Sequence, residues 1–322
     1  MSVSETPARL AVHTVEDLVG LVPYLIGFHP RDSLVAVVLR DGRVEVTARV
    51  NLAEVAGTDG QAYLIGRLLD RFPSAELWFL AFTEDEELAW AVLAGCAALC
   101  GVMRLGRVVH VNSTHWRVDT PAGDGGPVGV SAAAAEAAVL GLPARPSRSD
   151  LEEFVAGPPD AEVGELFELF ERVSAEVSEL TSKARRRMLQ RLVRSGGERV
   201  QADWVRLAVL AADPETTIGL LDGLRQESAE EQVALWTQVV RHCLVPYLPA
   251  PLGLLGVAAW LTGDGAMATV CLERIDRVDL SSPLAALLDL IITGVLPPDA
   301  WADCRPGFVG AVREWFEAAA EG

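Results

Sequence analysis

The chain has 322 residues, of which 50% are hydrophobic and 22% charged, and its formal net charge is -18. This length favours two domains, each able to bury its own core, and the hydrophobic content excludes a disordered chain. The negative charge argues against a surface built to neutralise phosphates, because nucleic-acid affinity comes largely from clustered lysine and arginine.

The cysteines and the apolar stretches of the sequence indicate where in the cell the protein is expected. Glu16 and Asp17 interrupt the first hydrophobic residues, so no signal peptide is expected. The uncharged stretches 88–103 and 243–263 predict buried helices and no membrane span, because the first is short and the second contains three prolines. A cytoplasmic location is predicted, because the cysteines are odd in number and scattered, unlike a disulfide framework: Cys96, Cys100, Cys243, Cys271 and Cys304.

The chain opens with a helix and a turn that lead into a buried strand. Thr14 is the predicted N-cap of the helix, and Pro23 disfavours helical geometry at the residue before it. Gly27 is predicted to adopt the left-handed conformation that is common just past a helix end. Pro30 then suits a tight turn, and the apolar run 34–39 is typical of a central strand.

The rest of the first half alternates strands and helices. Asp41 and Gly42 predict a two-residue hairpin, and residues 43–50 alternate as a strand with one wetter face. Residues 119–130, rich in glycine and proline, predict a surface loop. A mixed sheet with hairpins and helical crossovers is expected, with further helices over 58–72, 84–100 and 131–140 and strands over 77–82, 108–111 and 116–118.

The second half is predicted to be all helical. Pro143, Pro146 and Ser147 indicate a linker, so we expect an α/β domain over residues 1–145 and a helical domain over 146–322. Apolar residues recur every three or four positions from 160 to 194 and predict one long amphipathic helix or two abutting ones. Further helices are predicted over 199–212, 214–225, 228–243, 252–262, 265–277, 283–293 and 307–320.

Several segments carry a family resemblance. The stretch LVPYLIGFHPRDSLVAVVL, residues 21–39, with its structural residues Pro23, Gly27, Phe28 and Pro30, is followed by the Asp41-Gly42 hairpin and resembles the opening of the actinobacterial domain of unknown function family 4192. The segments PSRSDLEEF and LGLLGVAAWLTGDGAMATVCLERI resemble the same family in the same order. The resemblance covers most of the chain and implies no activity, cofactor or catalytic residue.

The last of these segments also resembles a single tetratricopeptide-type helical hairpin. Gly256, Gly263, Asp264 and Ala268 stand at or near the small positions of that pattern, where close helix packing needs small side chains. No second copy is evident. A helical scaffold is therefore predicted, because one hairpin does not form the concave groove on which such repeats bind peptides.

The candidate polar site is the turn that holds His29, Asp32 and Ser33, next to the predicted central strand. In the structural alternative, Asp32 or Ser33 bonds to backbone groups of the turn and His29 packs against its neighbours. Ser33 lacks the G-x-S-x-G context of a nucleophile elbow. No catalytic motif is recognisable, so whether the protein is an enzyme stays open.

The candidate metal ligands in the sequence are histidines and cysteines. His110 and His115, with His29, lie on or beside strands but show no ligand spacing. Cys96 and Cys100 are one helical turn apart in an apolar setting that suits buried residues. No metal site and no cofactor are predicted.

Glycines and tryptophans receive structural interpretations as well. Gly123, Gly125 and Gly126 precede a helix but match no phosphate-binding motif, so they predict a flexible connection. Four tryptophans of the second half predict packing between helices: Trp204, Trp236, Trp260 and Trp301.

One dense basic patch interrupts the acidic chain. Its cations are expected to pair with the acidic first half of the same helix or with neighbouring acidic helices. Nucleic-acid binding is the less favoured alternative, because the whole chain is acidic and no aromatic residues interleave with the cations. The patch consists of Lys183, Arg185, Arg186, Arg187, Arg191 and Arg194.

The leading hypothesis is a non-enzymatic cytosolic interaction or regulatory protein, in which the C-terminal helices bind a partner or a second copy. The alternative is a small-molecule-binding protein or enzyme with a polar site near His29, Asp32 and Ser33. Open sheets bind ligands at strand carboxyl ends. That rule weighs against the alternative, because the turn lies at the amino end of its strand.

Overall fold

A computed structural model describes residues 14–40, 43–101, 104–140, 144–194, 199–294 and 296–321. The predicted hairpin residues Asp41 and Gly42 and the predicted linker residue Pro143 lie outside these ranges. The chain divides into two compact units, Met1–Arg148 and Ser149–Gly322. The first unit contains a mixed sheet with helices and the second is helical, as the sequence predicts.

The sheet of the first unit has six strands in the order β2-β1-β3-β4-β5-β6. β3 and β4 are parallel, and the other neighbouring pairs are antiparallel. Residues 34–39 of β1 are buried throughout, since this strand lies between two others and is covered on both faces. The strands are β1 (Ser33–Arg40), β2 (Arg43–Asn51), β3 (Glu76–Phe82), β4 (Leu105–Val111), β5 (His115–Val118) and β6 (Gly125–Pro127).

Helices connect and flank these strands. The crossover that a parallel strand pair requires is provided between β3 and β4 by the third helix. Thr14 caps the first helix as predicted, since its Oγ1 accepts from Asp17 N at 3.0 Å while the Asp17 carboxylate accepts from Thr14 N at 3.2 Å. The helices are α1 (Val15–Leu25), α2 (Thr58–Arg71), α3 (Glu86–Cys100) and α4 (Ala132–Val139), and α5 (Arg148–Phe154) begins at the last residue of this unit.

The first helix includes Val22, where helical geometry was expected to be disfavoured by Pro23. Pro23 lies inside α1, which continues to Leu25 before Gly27 takes a φ of 80°. Because Pro23 stands in the last turn, its ring removes a single helical hydrogen bond. Burial of Leu21, Val22 and Pro23 itself offsets that loss.

The predicted glycine-rich loop contains a strand. β6 pairs with β5 and places Gly126 opposite Trp116. A Cβ on Gly125 would lie 2.4 Å from the Trp116 carbonyl oxygen, and one on Gly126 would lie 3.0 Å from the Trp116 ring. These glycines therefore allow close approach of two strands, and the expectation of a flexible connection was wrong for them because glycine has no side-chain pattern to reveal a strand.

The second unit is a stack of helices around a central one. Residues 160–194 form two separate helices, and α11 is buried from Pro251 to Leu261. Within the described ranges, no helix is long and apolar enough to cross a membrane. The helices are α6 (Val163–Ser178), α7 (Ser182–Arg194), α8 (Gln201–Ala211), α9 (Pro214–Gly223), α10 (Ala229–Arg241), α11 (Pro249–Leu261), α12 (Gly265–Asp276), α13 (Pro283–Thr293) and α14 (Trp301–Glu321).

Candidate functional site

The turn between α1 and β1 is held by backbone hydrogen bonds to a distant segment. His29 N donates to the Arg145 carbonyl at 2.9 Å, and Arg145 N donates to the Gly27 carbonyl at 2.9 Å. Phe28 is buried and the side chain of His29 is exposed. The conformation of this turn is therefore fixed by pairing and does not depend on the His29 ring.

Asp32 connects the turn to the loop after β3. Its φ is 43°, a left-handed value that aspartate tolerates better than most residues. Its Oδ1 accepts a 2.7 Å hydrogen bond from Thr83 Oγ1, and its carbonyl accepts from Leu52 N at 2.8 Å. Thr83 Oγ1 in turn accepts from the N–H of Asp85, the N-cap of α3. Asp32 thus bridges two loops and does not cap its own turn.

Ser33 is a buried structural hydroxyl. Its Oγ donates to the Arg31 carbonyl at 2.6 Å and accepts from Arg49 Nε at 2.9 Å. The residue has no solvent exposure. Because a nucleophile must reach its substrate, this hydroxyl is not placed to attack one.

The sheet order places this turn at the end of the sheet where ligand sites usually occur. Ser33 pairs with Phe82, and Phe82 pairs with Val111. Because β1 runs antiparallel to β3, the amino end of β1 lies at the same edge as the carboxyl ends of the parallel strands β3 and β4. The expectation that the turn lies at the wrong edge for a ligand site was therefore incorrect.

His110 completes the polar group at this edge. It is only 3% exposed, its Nε2 donates to the Thr83 carbonyl at 2.9 Å, and its ring lies edge-on to Trp90. Asp32, Thr83 and His110 are therefore linked around the end of β3. Thr83 was not predicted from the sequence, although a polar residue directly after a buried strand is a usable signal.

The other histidine and cysteine candidates do not converge. His115 is exposed and hydrogen bonds to its neighbour Thr114. In the part of the chain that the structure describes, no three histidine, cysteine, aspartate or glutamate side chains are grouped to share a metal ion. Burial, and secondarily the neighbouring Cys100, raises the pKa of Cys96 to about 12, so this thiol stays protonated at neutral pH.

The basic patch lies on α7. Arg185 Nε donates to the Val177 carbonyl at 2.9 Å and its Nη2 to the Ser178 carbonyl at 3.1 Å, so this residue closes the end of α6. The other five cations of the patch make no ion pair with any described residue.

The expected pairing of these cations with the acidic first half of the segment is therefore wrong. Glu176 of α6 pairs instead with Arg206 of α8, at 3.1 Å. The physical reason is the break after Ser178, because two separate helices lose the three- and four-residue spacing that brings charges together along one helix.

A shallow depression of about 390 Å³ runs along the exposed side of α7. Its lining forms two rows at four-residue spacing. One row is apolar and consists of Leu180, Ala184 and Met188, and the other is basic and consists of Lys183, Arg187 and Arg191. Of the residues of α7, only Leu192 is buried. The residues of the basic row are exposed and those of the apolar row are half-buried.

The tetratricopeptide-like residues serve the packing of α11 and α12. A Cβ on Gly256 would lie 2.7 Å from Leu288 Cδ1, and Gly263 has a φ of 88°. Asp264 caps α12 by accepting from Met267 N at 2.8 Å. Ala268 is fully buried. These positions build a scaffold of packed helices.

The four tryptophans predicted to pack between helices do so in the second unit. Trp236 is fully buried. Trp260 and Trp301 pack edge to face with centroids 5.8 Å apart, and each donates to a backbone carbonyl. Trp204 lies beneath the guanidinium of Arg199, 5.0 Å from its ring centroid.

Comparison with known proteins identifies the family of the chain. A family model described as Domain of unknown function (DUF4192) matches residues 16–299. The resemblance noted for residues 21–39 is therefore confirmed over most of the chain. No curated protein and no solved structure matches.

Proposed function

The chain belongs to the DUF4192 family of domains of unknown function, and we propose that it is a non-enzymatic cytoplasmic interaction protein whose helix α7 binds an acidic segment of a protein partner. The observation that carries this proposal is the set of five α7 cations without an ion pair among the described residues. Unpaired cations that are not needed for folding are available for a partner.

The charge distribution supports an acidic partner. Six of the 27 lysines and arginines of the chain fall within the thirteen residues of α7, which contain no aspartate or glutamate. The whole chain carries a formal charge of -18. An acidic partner is therefore attracted to α7 and repelled by most of the remaining surface, which would orient the encounter.

The shape of the depression favours an amphipathic helix. The apolar and basic rows of α7 both repeat every four residues, so a helix with acidic residues at the same interval beside an apolar row would match both. The phosphate backbone of a nucleic acid would contact the basic row but not the apolar row. In addition, α7 has no aromatic residue on which a base could stack. A protein segment is the better fit.

A small-molecule site at the sheet edge is the second candidate. The observation in its favour is that Asp32 lies where the parallel strands β3 and β4 end. Against it, Ser33 is buried, and both Asp32 Oδ1 and His110 Nε2 already hydrogen bond to Thr83. These contacts favour a structural role for the group.

Fluorescence anisotropy tests the proposed interaction. The probe is a labelled amphipathic peptide with glutamate at every fourth position and leucine beside each glutamate. The full chain should bind it, and the double variant Arg187→Glu, Arg191→Glu should bind at least about tenfold more weakly, because each reversal turns attraction into repulsion. The control is Arg31→Glu, Arg71→Glu, which changes the net charge equally at exposed positions of the first unit.

Three results would contradict the proposal. The first is an equal loss of peptide binding in the control variant, which would show a general charge effect. The second is tighter binding of duplex DNA than of the peptide. The third is tighter binding of vesicles that contain anionic lipid.

A further inference from the structure

A cavity of about 210 Å³ lies between α5 and α12 in the second unit. Val155 and Val270 contribute apolar surface to it, and Arg274 and Arg277 line it with positive charge. We propose that this cavity binds a small oxyanion, a carboxylate or a phosphate group, through the two guanidinium groups.

One nitrogen of the Arg274 guanidinium lacks a hydrogen-bond partner among the described residues. Arg274 Nη2 donates to the Ala156 carbonyl at 2.5 Å, whereas Nη1 is shielded from solvent and has no hydrogen-bond partner among the described residues. A buried polar group without a partner is costly, and a charged one more so. An oxyanion supplies both the missing acceptor and the missing counter-charge.

The electrostatic surroundings of Arg274 point the same way. Burial lowers its pKa, and the nearby groups that act on it are the thiols of Cys271 and Cys243 and the like-charged Arg277. No carboxylate is among them. The groups that shift the pKa of Arg274 therefore include a like-charged arginine and no acidic residue.

Arg277 provides a second cation on the same face. It follows Arg274 by three residues as the C-cap of α12, and its helical backbone places both side chains on one side of the helix. It is exposed and makes no ion pair with a described residue. A planar guanidinium can donate two parallel hydrogen bonds to a carboxylate or a phosphate, which suits a site built from two arginines.

Two glutamates also line the cavity and limit its affinity for an anion. These are Glu152 and Glu273, and each of them interacts with another group. Their charges repel an anion, so we expect weak binding of small ligands only.

The backbone beside Arg274 is adapted to its position. Gly157 has a φ of 91°, and a Cβ there would lie 2.9 Å from Arg274 Nη2. Glycine therefore provides both the conformation and the room for the guanidinium to reach the Ala156 carbonyl. This contact fixes one end of the guanidinium and leaves the other without a hydrogen-bond partner in the described part of the chain.

Thermal unfolding of the full chain tests the site with inorganic phosphate and with succinate, each against sodium chloride at equal ionic strength. The wild-type protein should unfold at a higher temperature with at least one of the two anions. Phosphate alone would indicate phosphate esters as ligands, and succinate alone would indicate carboxylates. In Arg274→Met the anion affinity should fall about tenfold or more, because a hydrogen bond to a charged group contributes about 1.5–3 kcal/mol.

Arg241→Met is the matched control, since this exposed arginine stacks on Phe154 and does not line the cavity. It should keep the full anion response. General salt effects on folding act on all variants alike, so an equal response in wild type, Arg274→Met and the control would overturn the proposal. No response to either anion in the wild type would also overturn it.

Arg277→Met keeps the test decisive if Arg274→Met does not fold. Because Arg277 is exposed, its replacement should leave the unfolding temperature in chloride unchanged. Its anion response should be weaker than that of the wild type, and an undiminished response would contradict the two-arginine site.

Discussion

The Thr83 hydroxyl donates a 2.7 Å hydrogen bond to Oδ1 of Asp32, across a separation of 51 residues. This contact joins the turn before β1 to the loop after β3. The two segments are neighbours because the amino end of β1 pairs with the carboxyl end of β3. Asp32 holds its position with a left-handed backbone, φ 43°. The pair therefore combines a non-local contact with a local conformational cost.

Replacement of Asp32 tests both contributions. Asp32→Ala should lower the free energy of unfolding by about 2 kcal/mol, because it removes the Thr83 contact and places a Cβ-bearing residue without a polar side chain in the left-handed region. Asp32→Asn keeps an acceptor and tolerates this backbone, so its loss should be below about 1 kcal/mol. Urea unfolding followed by circular dichroism measures both values.

Asp32→Gly is the control for the backbone, because glycine removes the strain but also the acceptor. Its stability should fall between those of the alanine and asparagine variants. If all three variants had the free energy of unfolding of the wild type, the contact would contribute nothing to stability.

Close packing at Gly256 predicts a cost for a single methyl group. Gly256→Ala should destabilise the protein by about 1–3 kcal/mol, since the new Cβ would lie 2.7 Å from Leu288 Cδ1 and 3.2 Å from Cys271 Cβ. Gly219→Ala in α9 is the matched control, because no atom lies within 4 Å of its Cβ position. The control should gain about 0.4–1 kcal/mol, and a gain at Gly256 would disprove the tight packing.

The buried thiol of Cys96 predicts alkaline destabilisation. Burial raises its pKa to about 12, whereas an exposed thiol has a pKa of about 8.5. Above that value the unfolded chain loses a proton that the folded chain retains, so the stabilisation is complete below about pH 8.5 and is lost as the pH rises towards 12.

Cys96→Ala isolates this contribution. Its unfolding free energy should fall less steeply between pH 8.5 and 10, by at most about 1.4 kcal/mol per pH unit relative to the wild type. Identical slopes in the two proteins would show that Cys96 ionises normally in the folded state.

The cations of α7 should separate into one structural residue and several dispensable ones. Arg185→Ala should cost about 1 kcal/mol, because Arg185 donates to two carbonyls at the end of α6. Arg187→Ala removes a cation without an ion pair among the described residues, and its stability should stay within about 0.5 kcal/mol of the wild type. Chemical denaturation distinguishes the two, and a marked loss in Arg187→Ala would mean that the patch serves folding.

Much of the fold follows from local patterns in the sequence. The apolar run 34–39 predicts the buried strand β1, and Thr14 with Asp17 predicts the start of α1. β6 was missed because Gly125 and Gly126 carry no side-chain signal. At the candidate site, Asp32 was predicted but its partner Thr83 was not, since a sequence pattern carries no information about which distant loops meet.

The sequence by itself determines the periodic segments, the helix caps and the left-handed glycine at residue 27, because each depends on interactions between residues close along the chain. Only the tertiary structure decides that the amino end of β1 shares an edge with the carboxyl ends of β3 and β4. It also decides that Glu176 pairs with Arg206 and leaves most α7 cations without an ion pair in the described chain. Strand order and helix placement depend on non-local burial, which the spacing of residues along the chain does not encode.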